Sequence, residues 1–152
     1  MIDKRKIMLK AFLSHSSKQK GYVEIVAKQL GKSNIVLDKW TFEEGNKTID
    51  EILQGLSETG VFVLFISNEA LESEWVKTEV EKAYKMIKEG NIKRLYPIII
   101  DESIKYDDKR IPQWVQENYN LKYVSKPTKA SERVKQVLKT LSWELYPKNK
   151  KS

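Results

Sequence analysis

Apolar runs of strand length alternate along the chain with segments whose apolar residues recur at helical spacing. This is the pattern of a parallel sheet covered by helices on both faces. The first run, IMLKAFLS at 7–14, reads as a buried strand interrupted only by Lys10. A helix over about 18–30 follows, with Val23, Val26, Ala27 and Leu30 on its apolar stripe. NIVLD at 34–38 reads as a second strand, KWTFEEGN at 39–46 as a polar loop, and 47–58 as a helix that turns Ile49, Ile52, Leu53 and Leu56 inward. VFVLFIS at 61–67 is the clearest core strand, and a long helix over about 70–89 leads through Gly90 and Asn91 into a fourth strand, RLYPIIID at 94–101. Beyond it, ESIKYDDKRIPQW reads as irregular or briefly helical, LKYV at 121–124 as a short edge strand, and about 129–145 as a final amphipathic helix.

Five strands with alternating helices predict an α/β fold, a flavodoxin-like open five-stranded parallel sheet of order 2-1-3-4-5 with helices on both faces. Ligands of such sheets sit beyond the carboxyl ends of the strands, near the point where strand order reverses. Those ends are Ser14, Asp38 and Ser67 with their following loops. At 152 residues the chain reads as a single domain with a core over about 7–145. Its basic end, 147–152, reads as a linker stub, so the chain reads as one domain of a larger protein.

Composition narrows the chemistry. With 40% hydrophobic and 32% charged residues the chain has the balance of a soluble globular protein. It contains no cysteine, which excludes disulfides, thiolate zinc sites and a cysteine nucleophile, and its single histidine, His15, excludes a histidine-rich metal site. No apolar run approaches the roughly 20 residues of a membrane helix, and the amino terminus is too short in its apolar part for a secretory signal, so the expected location is the cytoplasm. The excess of 28 Lys and Arg over 21 Asp and Glu, a net +7, invites a nucleic-acid reading. Much of that excess lies in DKRK at 3–6 and KNKK at 148–151, where solvated tails account for it. No basic stripe with interleaved aromatics and no zinc-finger or RNP spacing stands out, so nucleic acid is not the expected ligand. A phosphate-bearing small molecule is attracted by the same charge.

Three constellations could carry chemistry. In SEWVKTEVEKA at 73–83, Trp75 and Glu79 stand four residues apart, one turn of a helix, and so share a patch of surface. At about 100° per residue, Val76, Val80, Ala83, Tyr84 and Ile87 form one apolar face and Lys77, Thr78, Glu81, Lys85 and Lys88 the opposite one. Glu79 falls between them, where partial desolvation can tune a carboxylate. Spacing alone favours the plainer reading, a rim glutamate paired with a lysine beside a tryptophan covering the core edge. In FLSHSSKQK at 12–20, a strand ends and a helix opens, so hydroxyls and backbone N–H groups can face an anion; the plainer reading is that Ser16 or Ser17 is a helix cap. Neither the P-loop nor the Rossmann glycine fingerprint occurs. Ser14 and His15 are neighbours on a strand end and point apart, and without a G-x-S-x-G elbow they do not make a hydrolase pair. In DKWTFEEGN at 38–46, Trp40, Phe42, Glu43, Glu44 and Gly45 form a loop that reads either as a contact surface or as a cap on the sheet. Asp38 and Asp101 are acidic strand ends, but the acidic pair and phosphorylated aspartate of a receiver domain are replaced by Ser14, His15 and Ser67.

With AFLSHSSK, IVLDKWTFEEGNKTIDEILQGL, VFVLFISNEALESEWVKTEVEKA and YPIIID in this order and at these intervals, the chain resembles a bacterial-type TIR (Toll/interleukin receptor) domain over about 7–145. Enzymatic members split NAD+ into nicotinamide and ADP-ribose, or cyclise the ADP-ribose part, with a glutamate four residues after a tryptophan in the third segment. The resemblance implies that Glu79 is the catalytic carboxylate and that Trp75 lines the pocket. Phe12, Ser14, His15 and Ser16, with Asp38, Glu43 and Gly45, would form the remaining walls. It implies NAD+ as substrate, no cofactor and no metal, and activation by TIR–TIR self-association under a fused or separate sensor domain. The implied role is an NADase effector in antiviral (antiphage) defence, with virulence as the other role. The alternative is a non-catalytic scaffold that works by self-association or partner binding through the Trp40–Gly45 loop. Val76 stands where many members have cysteine, and Gln19 where an acidic residue is frequent. Hydrolysis or cyclisation, and the activating signal, are not encoded in these motifs.

Overall fold

A computed structural model describes residues 10–37 and 60–145. In chain order the elements are β1 (Ala11–Ser14), α1 (Lys20–Leu30), β2 (Ile35–Leu37), β3 (Gly60–Ile66), α2 (Asn68–Glu72), α3 (Glu74–Lys88), β4 (Ile92–Ile99), α4 (Gln113–Asn118) and α5 (Pro127–Leu145). The expected loop at 39–46 and helix at 47–58 lie outside the described residues.

The strands form one parallel sheet of order β2-β1-β3-β4. β1 lies between β2 and β3, with Phe12 opposite Val36 on one side and Phe62 on the other. Every residue of β1 and β3 is buried, as expected of central strands whose two faces are both covered. The segment expected as a fifth strand does not form one among the described residues. It meets β4 through a single parallel bridge, Ile99 to Tyr123, in which the Lys122 carbonyl accepts from Ile99 N–H and the Ile99 carbonyl accepts from Val124 N–H. Lys122 and Tyr123 of this segment are exposed, so little burial favours extending the pairing beyond that bridge.

Two cores flank the sheet. Val23, Val26, Ala27 and Leu30 of α1 and Ala130, Val134, Val137 and Leu141 of α5 pack with Leu13, Val63 and Phe65 on one face. On the other face, Val76, Val80 and Ala83 of α3 pack with Phe12, Phe62, Leu64 and Leu95. Phe12 and Phe62 stack with ring centroids 5.2 Å apart and planes 9° from parallel.

One expected element is divided. The helix read as continuous over about 70–89 is broken at Ser73, which is extended (φ −83°, ψ 124°). Ser67 caps α2 by accepting from Ala70 N–H at 3.1 Å, and Ser73 caps α3 by accepting from Val76 N–H at 3.1 Å. Each hydroxyl satisfies a backbone donor that the new helix leaves open. Glu74 in the first turn of α3 and Lys85 and Lys88 in its last turn complement the helix dipole. The helix stops at Gly90, whose φ of 84° suits a residue without Cβ.

Candidate functional site

β1 ends at Ser14, and α3 brings Glu79 over that end from the second turn of the helix. The Ser14 hydroxyl donates to Glu79 Oε1 across 65 positions of sequence. Both residues have 0% of their surface exposed, so Glu79 is not the rim carboxylate that spacing alone favoured. Its side chain ranks with Phe12, Phe62 and Phe65 among the largest that are fully buried. Glutamate is almost never buried this completely unless it is paired, because a carboxylate withdrawn from water loses its hydration. A buried carboxylate with a specific donor, at the carboxyl end of a parallel sheet, is where a ligand site of this architecture is expected.

The loop after β1 continues the site. His15 is 4% exposed and Ser16 6%. His15 Nδ1 lies 2.7 Å from the Ser16 carbonyl oxygen; since a carbonyl only accepts, Nδ1 carries the proton of that bond. Ser14 and His15 therefore point to different partners, as expected for neighbours on a strand end. Ser16 behaves as the cap that the sequence offered. Its hydroxyl accepts from Lys18 N–H at 3.0 Å, and its carbonyl accepts from Gln19 N–H at 3.0 Å, closing a 3₁₀ turn over Ser17–Gln19 that leads into α1. Phe12 contributes no exposed surface; its ring belongs to the core beneath Ser14.

The neighbouring strand end is also fixed. Gln19, one of the two departures from the family pattern, donates from Nε2 to Glu69 Oε1 of α2 at 3.0 Å, tying the turn after β1 to the turn after β3. A carboxylate at position 19 would meet Glu69 with like charge. The other departure, Val76, is 4% exposed and packs in the core on the α3 side of the sheet. Asp101, just beyond β4, accepts from Ser103 Oγ at 2.7 Å, from Ser103 N–H at 3.0 Å and from Asn68 N–H at 3.3 Å. The hydrogen bonds from Ser103 hold its carboxyl below the ordinary aspartate range. Arg110 links the following loop to α2 through Glu72 at 3.1 Å and Asn68 at 2.8 Å, while pairing with Asp108 at 2.9 Å.

Of the residues expected at the site, the structure brings together Ser14 and Glu79, with His15 and Ser16 following in the adjoining turn. Asp38, Glu43 and Gly45 lie outside the described residues. Trp75 is described through its backbone, in the first turn of α3. Gln19 and Glu69 were not singled out as a pair by sequence reasoning, since polar residues 50 positions apart carry no local sign of contact. A cavity of about 440 Å³ lies along α3, lined by Leu64, Ile66, Leu71, Val76, Val80 and Trp114 among others, and Glu79 is not in its wall. Among the described residues no group of three or more His, Asp or Glu could hold a metal ion, and no helix is long and apolar enough to cross a membrane.

A family model described as TIR domain matches residues 11–138, a span that runs from β1 into α5. No curated protein matches the chain by sequence.

Proposed function

Because the chain belongs to the TIR domain family, we propose that it is an NAD+ nucleosidase that breaks the nicotinamide–ribose bond, with Glu79 as its catalytic carboxylate. The observation that carries this reading is the buried Glu79 held by Ser14 at the end of β1. As the C1′–N bond breaks, its electron pair returns to the pyridinium nitrogen and nicotinamide leaves as a neutral molecule. No general acid is needed for such a leaving group, unlike that of an ordinary glycoside. Positive charge develops on the ribose, and a fixed carboxylate beside it, in a site of low dielectric, stabilises that oxocarbenium-like state. Water then adds to C1′ and releases a proton, giving ADP-ribose; attack by the adenine of the same molecule gives a cyclic product instead.

In this reading Ser14 fixes the orientation of Glu79, while Trp75 and the turn from His15 to Ser16 bound the pocket with Asp38, Glu43 and Gly45. NAD+ enters as substrate, and the chemistry calls on neither a metal nor a cofactor. Since Glu79 exposes no surface, substrate reaches it only after its cover is displaced. That requirement supports a resting form activated by assembly, as an effector in antiphage defence would need. The proposed setting is the cytoplasm, with a sensor domain or partner supplying the signal.

Nicotinamide release, measured by chromatography with the protein concentrated on beads, tests the reading. Glu79→Gln is expected to lower the rate by at least about 100-fold while circular dichroism and the unfolding midpoint show the fold retained. An unchanged rate removes Glu79 from the mechanism. No NAD+ consumption in any crowded preparation, with assembly lost on substitution in the Trp40–Gly45 loop, would establish the scaffold role in its place.

A further inference from the structure

A second cavity, of about 200 Å³, lies at the outer edge of the sheet. Arg94, Tyr96 and Ile98 reach it from alternate positions of β4, Tyr119, Asn120 and Lys122 from the segment between α4 and α5, and Arg133 from α5. Three of its nine lining residues are cations and none is a carboxylate. The ion pairs recorded among the described residues involve Lys77 and Arg110, and none of them includes Arg94, Lys122 or Arg133. Arg94 instead lies over the Tyr96 ring, 6.0 Å from its centroid. Three like charges around one small cavity repel one another, and an anion seated between them relieves that repulsion.

We propose that this cavity binds a phosphomonoester of pentose size, such as a ribose phosphate, held by Arg94, Lys122 and Arg133. Guanidinium groups match phosphate oxygens in bidentate geometry, and an ammonium adds a movable point charge. Tyr96, Tyr119 and Asn120 supply hydroxyl and amide groups for a sugar diol, while Pro97, Ile98 and Val124 give an apolar wall. An enclosed cavity of about 150 Å³ takes a benzene ring, so about 200 Å³ seats a sugar and its phosphate. The site is separate from Glu79. Tyr96, Ile98 and Val124 belong to the core on the α1 and α5 face of the sheet, whereas Val76 and Val80, which flank Glu79 on α3, belong to the core on the opposite face.

Isothermal titration of the full chain at low salt, with ribose 5-phosphate, inorganic phosphate, ribose and a single-stranded oligonucleotide as separate probes, tests the proposal. Ribose 5-phosphate is expected to bind one to one, more tightly than inorganic phosphate, with no heat from ribose and with affinity falling as salt rises. Arg94→Gln and Arg133→Gln should each weaken it by about tenfold or more, and Glu79→Gln should not. Should either arginine variant unfold, amide shifts of the unaltered protein serve instead, and Tyr96, Asn120 and Lys122 should move on adding ribose 5-phosphate. Binding that persists in both arginine variants, that disappears in Glu79→Gln, or that is matched by inorganic phosphate alone overturns the proposal. So does tighter binding of the oligonucleotide that is lost in the same variants, since it would make the basic edge a nucleic-acid surface.

Discussion

Ser14 and Glu79 come from a strand end and a helix that are separated by 65 positions, and the fold joins them in a place that water does not reach. Removing the hydroxyl leaves a buried carboxylate oxygen short of one donor, at a cost of about 1–3 kcal/mol. Ser14→Ala is therefore expected to lower urea stability within that range, and to slow nicotinamide release further by loosening Glu79, which parallel unfolding and rate measurements on the same preparation would separate. Tyr22 shows a different, half-buried polar contact. Its hydroxyl donates to the Val124 carbonyl at 2.7 Å, and burial pushes its pKa up from 10.0 to about 12. A folded value above the unfolded one means that this group's stabilisation is complete below pH 10 and is lost as pH rises through about 12. Tyr22→Phe should flatten that alkaline loss in unfolding midpoints recorded across the same interval. At this scale the sequence was informative about residue types and silent about pairings: Glu79 could be picked out one helical turn from Trp75, but nothing local told that its oxygen would meet Ser14 rather than a lysine. Tyr22 likewise gave no sign of its partner 102 positions away.

Elements were legible wherever hydrophobic period sufficed. The apolar stripe of α1 and the burial of β3 fall on the residues that periodicity marks. The break between α2 and α3 is not marked by a change in burial, since Leu71 before it and Val76 and Val80 after it are all buried. Its sign was instead a serine, Ser73, standing three residues before Val76, whose N–H it accepts. Ser73→Ala is expected to cost about 1 kcal/mol in urea unfolding, whereas Thr78→Ala, at an exposed hydroxyl bonded to the Glu74 carbonyl, should change stability by less than about 0.5 kcal/mol. Since Ser73 starts the helix that carries Glu79, its loss should also reduce activity. The loop at 39–46, which sequence reading made a candidate wall, lies outside the described residues, so its two readings stand as the sequence left them.

At the scale of the molecule, strand order β2-β1-β3-β4 and the match to the TIR family agree with the alternation of strand-like and helix-like runs. The departure is at the edge, where the expected fifth strand is reduced to one bridge: Lys122 and Tyr123 are exposed and gain no burial from a longer ladder. A whole-molecule prediction follows from the burial of Glu79. NAD+ consumption per molecule should rise steeply when the protein is clustered on beads and stay low when dispersed, and a rate per molecule independent of clustering would show that uncovering Glu79 needs no neighbour.

The bare stretch of that edge bears on what happens when many copies meet. Ile99 directs its N–H away from β3, to Lys122, so residue 97, two positions earlier on the same strand, faces outward as well. Residue 97 is Pro97, which has no N–H to offer. An intruding extended peptide would find one donor missing at Pro97 and the next, Ile99 N–H, already occupied by Lys122, so edge-to-edge pairing into fibrils is discouraged at this rim.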